Sequence, residues 1–171
     1  AATVSRPIQR TRIAPTPSGL LHMGNGAYFL LTAVMAREQG AELMLRIDDL
    51  DAERVRPEYI TDIFETLEWL GIRWTIGPRD PADHRRNWSQ SLRSTDHEQL
   101  LDELRAGGHL YACTCSRPKL KDCDCRVRGG DLDGPEASWR LRVPERCPVT
   151  VHEWGGGSRV LDLARLLPDP V

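Results

Sequence analysis

The stretch Arg12-Ile-Ala-Pro-Thr-Pro-Ser-Gly-Leu-Leu-His-Met-Gly-Asn25 decides how the rest of the chain is read. It begins apolar and extended, passes two prolines and a Ser-Gly turn, and brings a His and a Gly to what reads as a helix start. Strand, glycine-bearing turn and helix N-terminus, in that order, are how α/β folds build an anion site. The first helical N–H groups lack partners, and the helix dipole favours negative charge. The ligand this order predicts is a nucleotide.

Working outward, Thr11 to Pro15 predicts a first strand, and residues 1–9, which show no period, read as a flexible leader. Gly26 to Gln39 holds helix formers with apolar residues over most of its surface, the pattern of a helix buried against a sheet. Gly40 fits the position just after its end. The nearly continuous apolar run Glu42-Leu-Met-Leu-Arg-Ile47 predicts a second, parallel strand covered on both faces. Strand, helix and strand make a right-handed crossover, so the expected fold class is α/β.

Arg46-Ile-Asp-Asp-Leu-Asp51 stands at the carboxyl end of that second strand. Open α/β sheets bind ligands at the carboxyl ends of their strands, so these acids and His22 are expected to face one crevice. Adjacent carboxylates repel unless something cationic lies beside them, which favours a functional role for Asp48 or Asp49. Asp51 reads instead as the N-cap of the following helix. At the helix start, the His22 imidazole suits donation to a phosphate oxygen, and Gly24 lets a flat ring approach the backbone. Arg12 suits a two-pronged pair with a carboxylate or, equally, an ordinary surface position.

Pro57 to Leu70 is an amphipathic helix by the spacing of Ile60, Ile63, Phe64, Leu67 and Leu70, with Pro57 in its first turn and Gly71 ending it. Ile72 to Ile76 predicts a short extended piece, and Gly77 to Asp83, with its two prolines, a loop. Asp96 to Arg105 predicts a helix with Leu100, Leu101 and Leu104 inward, stopped by Gly107-Gly108. Past Arg126, Ser138 to Val143 alternates as a half-buried antiparallel strand, and Val149 to Glu153 and Val160 to Leu163 are its candidate neighbours. A boundary near 107–110 therefore separates an α/β part from a small β-rich part.

Composition bounds the rest. A chain of 171 residues with 40% hydrophobic content and a net charge of -2 suits one medium domain or a domain with an appendage. No run has membrane-spanning length and the first residues lack a secretory apolar block, so the expectation is a cytoplasmic protein with no membrane partner. The near-neutral charge does not mark a nucleic-acid binder. Arg85-Arg86 and the cluster Arg117, Lys119, Lys121 read as solvated surface. Four of the five cysteines, Cys113, Cys115, Cys123 and Cys125, form two Cys-x-Cys pairs around Ser116 to Asp122. Such crowding predicts a metal knuckle rather than disulfides, with tetrahedral Zn²⁺ as the best-fitting ion and a structural role, since no ligand position stays open. Cys147 reads as a plain apolar residue.

Arg12 to Asn25, Leu45-Arg-Ile-Asp-Asp-Leu-Asp51, Arg56-Pro-Glu-Tyr59 and Leu67-Glu-Trp-Leu-Gly71 together resemble the catalytic domain of class I glutamyl-tRNA synthetases, and the cysteine segment after Leu110-Tyr-Ala resembles most the short branch of that family, the glutamyl-queuosine tRNA(Asp) synthetases. The resemblance implies a class I synthetase Rossmann-like half-domain, parallel strands with crossover helices, over 10–108 and a zinc-binding β-rich subdomain over 109–171. It implies ATP with Mg²⁺ and L-glutamate as substrates, tRNA, specifically tRNA(Asp), as partner, and a monomer. By position, Arg12 would hold the glutamate side-chain carboxylate, with Ala14 and Thr16 in the same pocket. His22 and Gly24 would act toward ATP as the HIGH signature, with Asn25 standing in place of its last His. Asp48 would receive the α-ammonium where the family has a longer Glu, and Cys123 would replace a Tyr ligand of zinc. The Lys-bearing KMSKS loop of the second half-domain is not in the sequence, so the expectation is either a fragment of a longer enzyme, of the glutamyl-queuosine or the glutamyl-tRNA type, or a half that binds nucleotide, tRNA or a partner without catalysis.

Overall fold

The computed structural model describes residues 8–153 and 156–166. It divides into two compact units, Arg6–His97 and Glu98–Val171.

In the first unit, β1 (Arg10–Ile13) and β2 (Glu42–Leu45) pair in parallel, Arg10 opposite Glu42 and Ile13 opposite Leu45, and α1 (Met23–Gln39) makes the crossover that parallel pairing requires. Backbone bonds continue beyond the strand ends. Glu42 N donates to Gln9 O at 3.0 Å, Arg46 N to Ile13 O at 3.0 Å and Asp48 N to Pro15 O at 2.9 Å. The last of these ties Asp48 to the loop that leads into α1. On the far side of β2, Leu45 N donates to Ile76 O and Thr75 N to Leu43 O, so of the expected extended piece Ile72 to Ile76 only the end meets the sheet, Ile76 forming a single parallel bridge to Met44.

Alternation along β2 sends Leu43, Leu45, Ile47 and then Asp49 inward, while Met44, Arg46 and Asp48 are only half-buried. The apolar run predicted two covered faces; one face is fully covered. The inward side chains pack with Phe29 and Ala36 of α1 and with Ile60, Ile63 and Leu67 of α2 (Pro57–Trp69). Ile63 and Leu67 are fully buried, worth about 2 kcal/mol each. Helix α1 is less covered than its composition suggested, since Tyr28 and Leu31 are exposed. Gly40 (φ 63) and Gly71 (φ 66) end α1 and α2 in the left-handed conformation that glycine adopts without strain.

Three expectations are corrected. Asp51 does not cap α2: the N-cap is Arg56, without a side-chain bond, and Asp51 instead lies in a preceding turn, 3.4 Å from Arg54. The loop expected over 77–83 is helical at its end: the Asp80 carboxylate accepts from Ala82 N and Asp83 N, both at 2.8 Å, and starts α3 (Pro81–Asp83). Asp80-Pro81 is an N-cap followed by a first-turn proline, a start signal rather than a breaker. A π-helical turn (His84–Trp88) and a 3₁₀ turn (Gln90–Arg93) follow. Third, α4 (Ser94–Ala106) forms but buries none of its residues, and Leu100 and Leu101 are exposed.

Gly77 shows what holds the extended piece against β2. Its φ is 129°, and a Cβ there would lie 2.3 Å from Leu45 O. Gly77→Ala is expected to lower stability by about 2 kcal/mol, read as a shift in the urea midpoint at unchanged slope.

In the second unit, β3 (Leu110–Cys113) pairs antiparallel with β4 (Ser138–Leu141), and all four β3 residues are buried. Arg142 lies 5.1 Å over the Tyr111 ring, and Trp139 Nε1 donates to Leu132 O at 2.7 Å. A 3₁₀ turn (Arg117–Asp122) and α5 (Cys125–Arg128) carry the second cysteine pair. The runs expected beside β4 pair with each other instead, as β5 (Pro148–His152) and β6 (Ser158–Asp162), followed by α6 (Leu163–Leu166). Val149 and Val160 are exposed in that hairpin, so its alternation reports strand geometry and not burial against β4. Most of the expected leader lies outside the described residues. Among the described residues, no helix is long and apolar enough to cross a membrane.

Candidate functional site

His22 is the N-cap of α1. Its Nδ1 accepts from Gly24 N at 3.1 Å, and Asn25 Oδ1 accepts in return from His22 N at 3.2 Å, a reciprocal capping box. Because Nδ1 is the acceptor, a neutral ring carries its hydrogen on Nε2, where it is available as a donor. The glycine at 24 has a local reason: a Cβ would stand 2.9 Å from His22 Cε1 and 3.0 Å from Nδ1. Asn25, expected beside His22 and Gly24 on the ATP side, orients the His22 backbone. His22→Ala is expected to cost about 1 kcal/mol in a thermal or urea melt, while His22→Ser, which can still cap, is expected to cost a few tenths.

The loop before α1 is pinned from α2, where Asp62 Oδ2 accepts from Leu21 N at 2.8 Å. Pro15 and Pro17 are buried beneath it. A cleft of about 320 Å³ results, with Ala14, Thr16, Leu20, His22, Asn25 and Phe29 on its wall. Four of the residues singled out in the sequence, Ala14, Thr16, His22 and Asn25, thus meet at one opening. Gly24, Arg12 and Asp48 are not on that wall. Arg12 is exposed on β1, and Asp48 approaches through its backbone bond to Pro15.

Asp48 is half-buried and Asp49 buried, and donors surround both carboxylates, which resolves their repulsion. Arg46 sits against Asp48, with Nε 2.7 Å from Oδ1 and Nη2 donating to Oδ2 at 3.1 Å, and Gln90 Nε2 donates to Oδ1 at 2.6 Å. Asp49 is buried. Its carboxylate accepts from His84 Nε2 at 3.0 Å, Ser89 Oγ at 2.6 Å and Gln90 N at 2.8 Å. Burial alone would raise its pKa, but the His84, Ser89 and Gln90 bonds outweigh it and hold the carboxyl at about 2. Asp49 is thus an anchor for the turn at 84–90. His84, Ser89 and Gln90 were not found from the sequence, since nothing local marks them; the one available signal was the pair of adjacent acids, which demanded partners from elsewhere.

The four clustered cysteines converge. Their sulfur atoms all lie within 4.8 Å of one another, with Cys113 to Cys123 and Cys115 to Cys125 both at 3.6 Å. A disulfide needs about 2.05 Å between sulfurs. Four thiolates about 2.3 Å from a central ion stand about 3.8 Å apart, so the arrangement fits a tetrahedral metal site. Arg128 Nη2 lies 3.2 Å from Cys125 Sγ and draws that thiol down to about 6, while the bond from Cys125 and its neighbours pushes Cys115 up to about 12. Cys147 is outside the cluster, its N–H bonded to Asp162.

The family model described as tRNA synthetases class I (E and Q), catalytic domain, matches residues 9–148. The chain belongs to this class I E/Q synthetase family. Among its relatives, the glutamyl-Q tRNA(Asp) synthetase of Nitratidesulfovibrio vulgaris is 39% identical over 126 residues, 74% of this chain and 39% of that protein. The glutamate–tRNA ligase of Prochlorococcus marinus is 38% identical over 138 residues, 80% of this chain and 27% of that protein. A glutamate tRNA ligase crystal structure from Elizabethkingia meningosepticum superposes with a TM-score of 0.66 at 20% identity, over 96% of this chain and 38% of that one, which shows a shared synthetase fold. The chain spans about two fifths or less of the length of these class I relatives.

Proposed function

We propose that this chain forms the amino-acid- and ATP-binding half of a ligase that activates L-glutamate to glutamyl-adenylate and transfers it to a nucleoside of tRNA, a reading supported by its relatives named glutamyl-Q tRNA(Asp) synthetase. The observation that carries this reading is the convergence of Ala14, Thr16, the His22 cap and Asn25 on one cleft at the N-terminus of α1. In the reaction the glutamate α-carboxylate attacks the α-phosphorus of ATP, a P–O bond forms, and the bond to pyrophosphate breaks. Negative charge builds on the phosphate oxygens, and donors fixed before the reaction stabilise it without reorganising. His22 Nε2–H is such a donor, held by the Gly24 and Asn25 bonds, and Gly24 keeps the ring seated. Arg12 supplies a fork for the substrate's side-chain carboxylate, and Asp48 receives its α-ammonium. Magnesium accompanies ATP as part of that substrate. The four-cysteine site holds zinc as a structural ion, with Cys113, Cys115, Cys123 and Cys125 as ligands and no open position for chemistry.

One observation favours a second reading, a half that binds without catalysis: the Asp48 carboxylate is already ion-paired with Arg46. Calorimetric titration of this chain with a non-hydrolysable glutamyl-adenylate analogue tests the site. The expected result is saturable binding that His22→Ser weakens about tenfold while the melt stays within a few tenths of a kcal/mol. Absence of heat, or equal affinity for an aspartyl analogue, contradicts the glutamate assignment.

A further inference from the structure

Asp48 and Asp49 share one residue, Gln90, which touches both with different groups. Its backbone N–H donates to Asp49 Oδ1 at 2.8 Å, and its side-chain Nε2 donates to Asp48 Oδ1 at 2.6 Å and to Ile47 O at 3.3 Å. Both side-chain N–H groups are thus committed to acceptors on the strand end, which also settles which amide end faces it. Asp49 in turn is gripped by His84 and Ser89, so the backbone of Gln90 is held by a buried carboxylate and its amide is aimed at the neighbouring one.

A carboxylate offers about four lone-pair directions. On Asp48, Oδ1 accepts from Gln90 Nε2 and also lies 2.7 Å from Arg46 Nε, which makes no hydrogen bond to it, while Oδ2 accepts from Arg46 Nη2 and has no second nitrogen against it among the described residues. A ligand ammonium therefore meets the less crowded oxygen at Oδ2. Asp48 is one methylene shorter than a glutamate, so its reach has to come from a fixed orientation rather than from a flexible stem.

We infer that Gln90 is a positioning residue for the ammonium site: it occupies Oδ1 of Asp48 beside Arg46 and so directs a ligand's N–H onto the less crowded Oδ2. The inference rests on the reading of Asp48 as the ammonium acceptor. It separates the two adjacent acids into an anchor, Asp49, and a ligand group, Asp48, with Gln90 as the link. Arg46 neutralises Asp48 but leaves it able to tilt within the fork; the Gln90 amide removes that freedom.

The test is pyrophosphate exchange by the full-length gene product carrying Gln90→Met, which keeps the backbone N–H to Asp49 and the side-chain length but removes the amide donor. The expected result is a rise of about tenfold in KM for glutamate, with KM for ATP and the melting temperature unchanged. Gln90→Glu, similar in shape but placing a carboxylate against Asp48, is expected to raise the glutamate KM further, and it serves alone if the Met variant does not fold. Active wild type with unchanged glutamate KM in the variants overturns the positioning role while leaving the glutamate reading standing. An equal rise in both KM values assigns Gln90 to fold maintenance and also overturns it. Wild type that exchanges no pyrophosphate with glutamate removes the Asp48 reading, and the inference with it.

Discussion

Asp49→Ala is expected to lower the stability of the Arg6–His97 unit by about 3 to 5 kcal/mol, measured by urea unfolding, a large part of a domain's total. The cause is the set of donors left behind. His84, fully buried, loses the acceptor of its Nε2–H, and Ser89 Oγ and Gln90 N lose theirs. Each buried donor without an acceptor costs about 1 to 3 kcal/mol. The same carboxylate makes stability depend on acid. Its folded-state pKa of about 2 lies below the ordinary 3.8, so the unfolded chain takes up the proton first as pH falls. The stabilisation, about 2 kcal/mol, is fully present above pH ~4 and is lost between roughly pH 4 and 2. Asp49→Asn, which cannot titrate, is expected to flatten that part of the pH–stability curve. An unchanged acid limb in Asp49→Asn would show that Asp49 is not the group responsible.

The second large effect is expected from withholding metal from the four-cysteine site. The second unit's buried cluster consists of Tyr111, Cys113 and Cys125, with Cys115, Leu120 and Cys123 packed against it, so the thiols are themselves most of its core. Structural zinc held by four thiolates contributes roughly 10 to 16 kcal/mol of binding free energy near neutral pH, more than so small a core supplies. Purified protein is expected to contain one zinc per chain. A strong chelator, or Cys125→Ser, is expected to abolish the folded signal of Glu98–Val171, read by near-ultraviolet signals of Trp139 and Tyr111, while the Arg6–His97 unit keeps its own transition. Metal-free protein with four freely titrating thiols and an unchanged spectrum would contradict the site.

What could be read from the sequence followed from how local each signal is. The crossover unit was legible because a strand, a helix and a strand each carry their own period, and Gly40 and Gly71 end their helices by a backbone requirement of single residues. The cleft residues Ala14, Thr16, His22 and Asn25 lie on one continuous stretch, and the cysteines on another, so chain proximity stood in for spatial proximity. The turn at 84–90 was not legible. Asp49 meets His84 and Ser89 across 35 and 40 residues, and no local pattern marks such a pairing. Asp51 resembles a cap because it is an acid shortly before a helix, but a cap must directly precede the first helical residue, and that place belongs to Arg56. The β5–β6 hairpin was placed beside β4 for a related reason: alternation identifies a strand but not its partner.

In the proposed reaction, glutamate is activated at the opening beside His22. Exchange of labelled pyrophosphate into ATP by the full-length gene product, run over a panel that includes glutamate, glutamine and aspartate, tests it most directly. The expected result is exchange with glutamate, exchange at least about a hundredfold weaker with glutamine and aspartate, and loss of the glutamate signal in Asp48→Ala. Exchange absent with glutamate, or equal across the three amino acids, would contradict it.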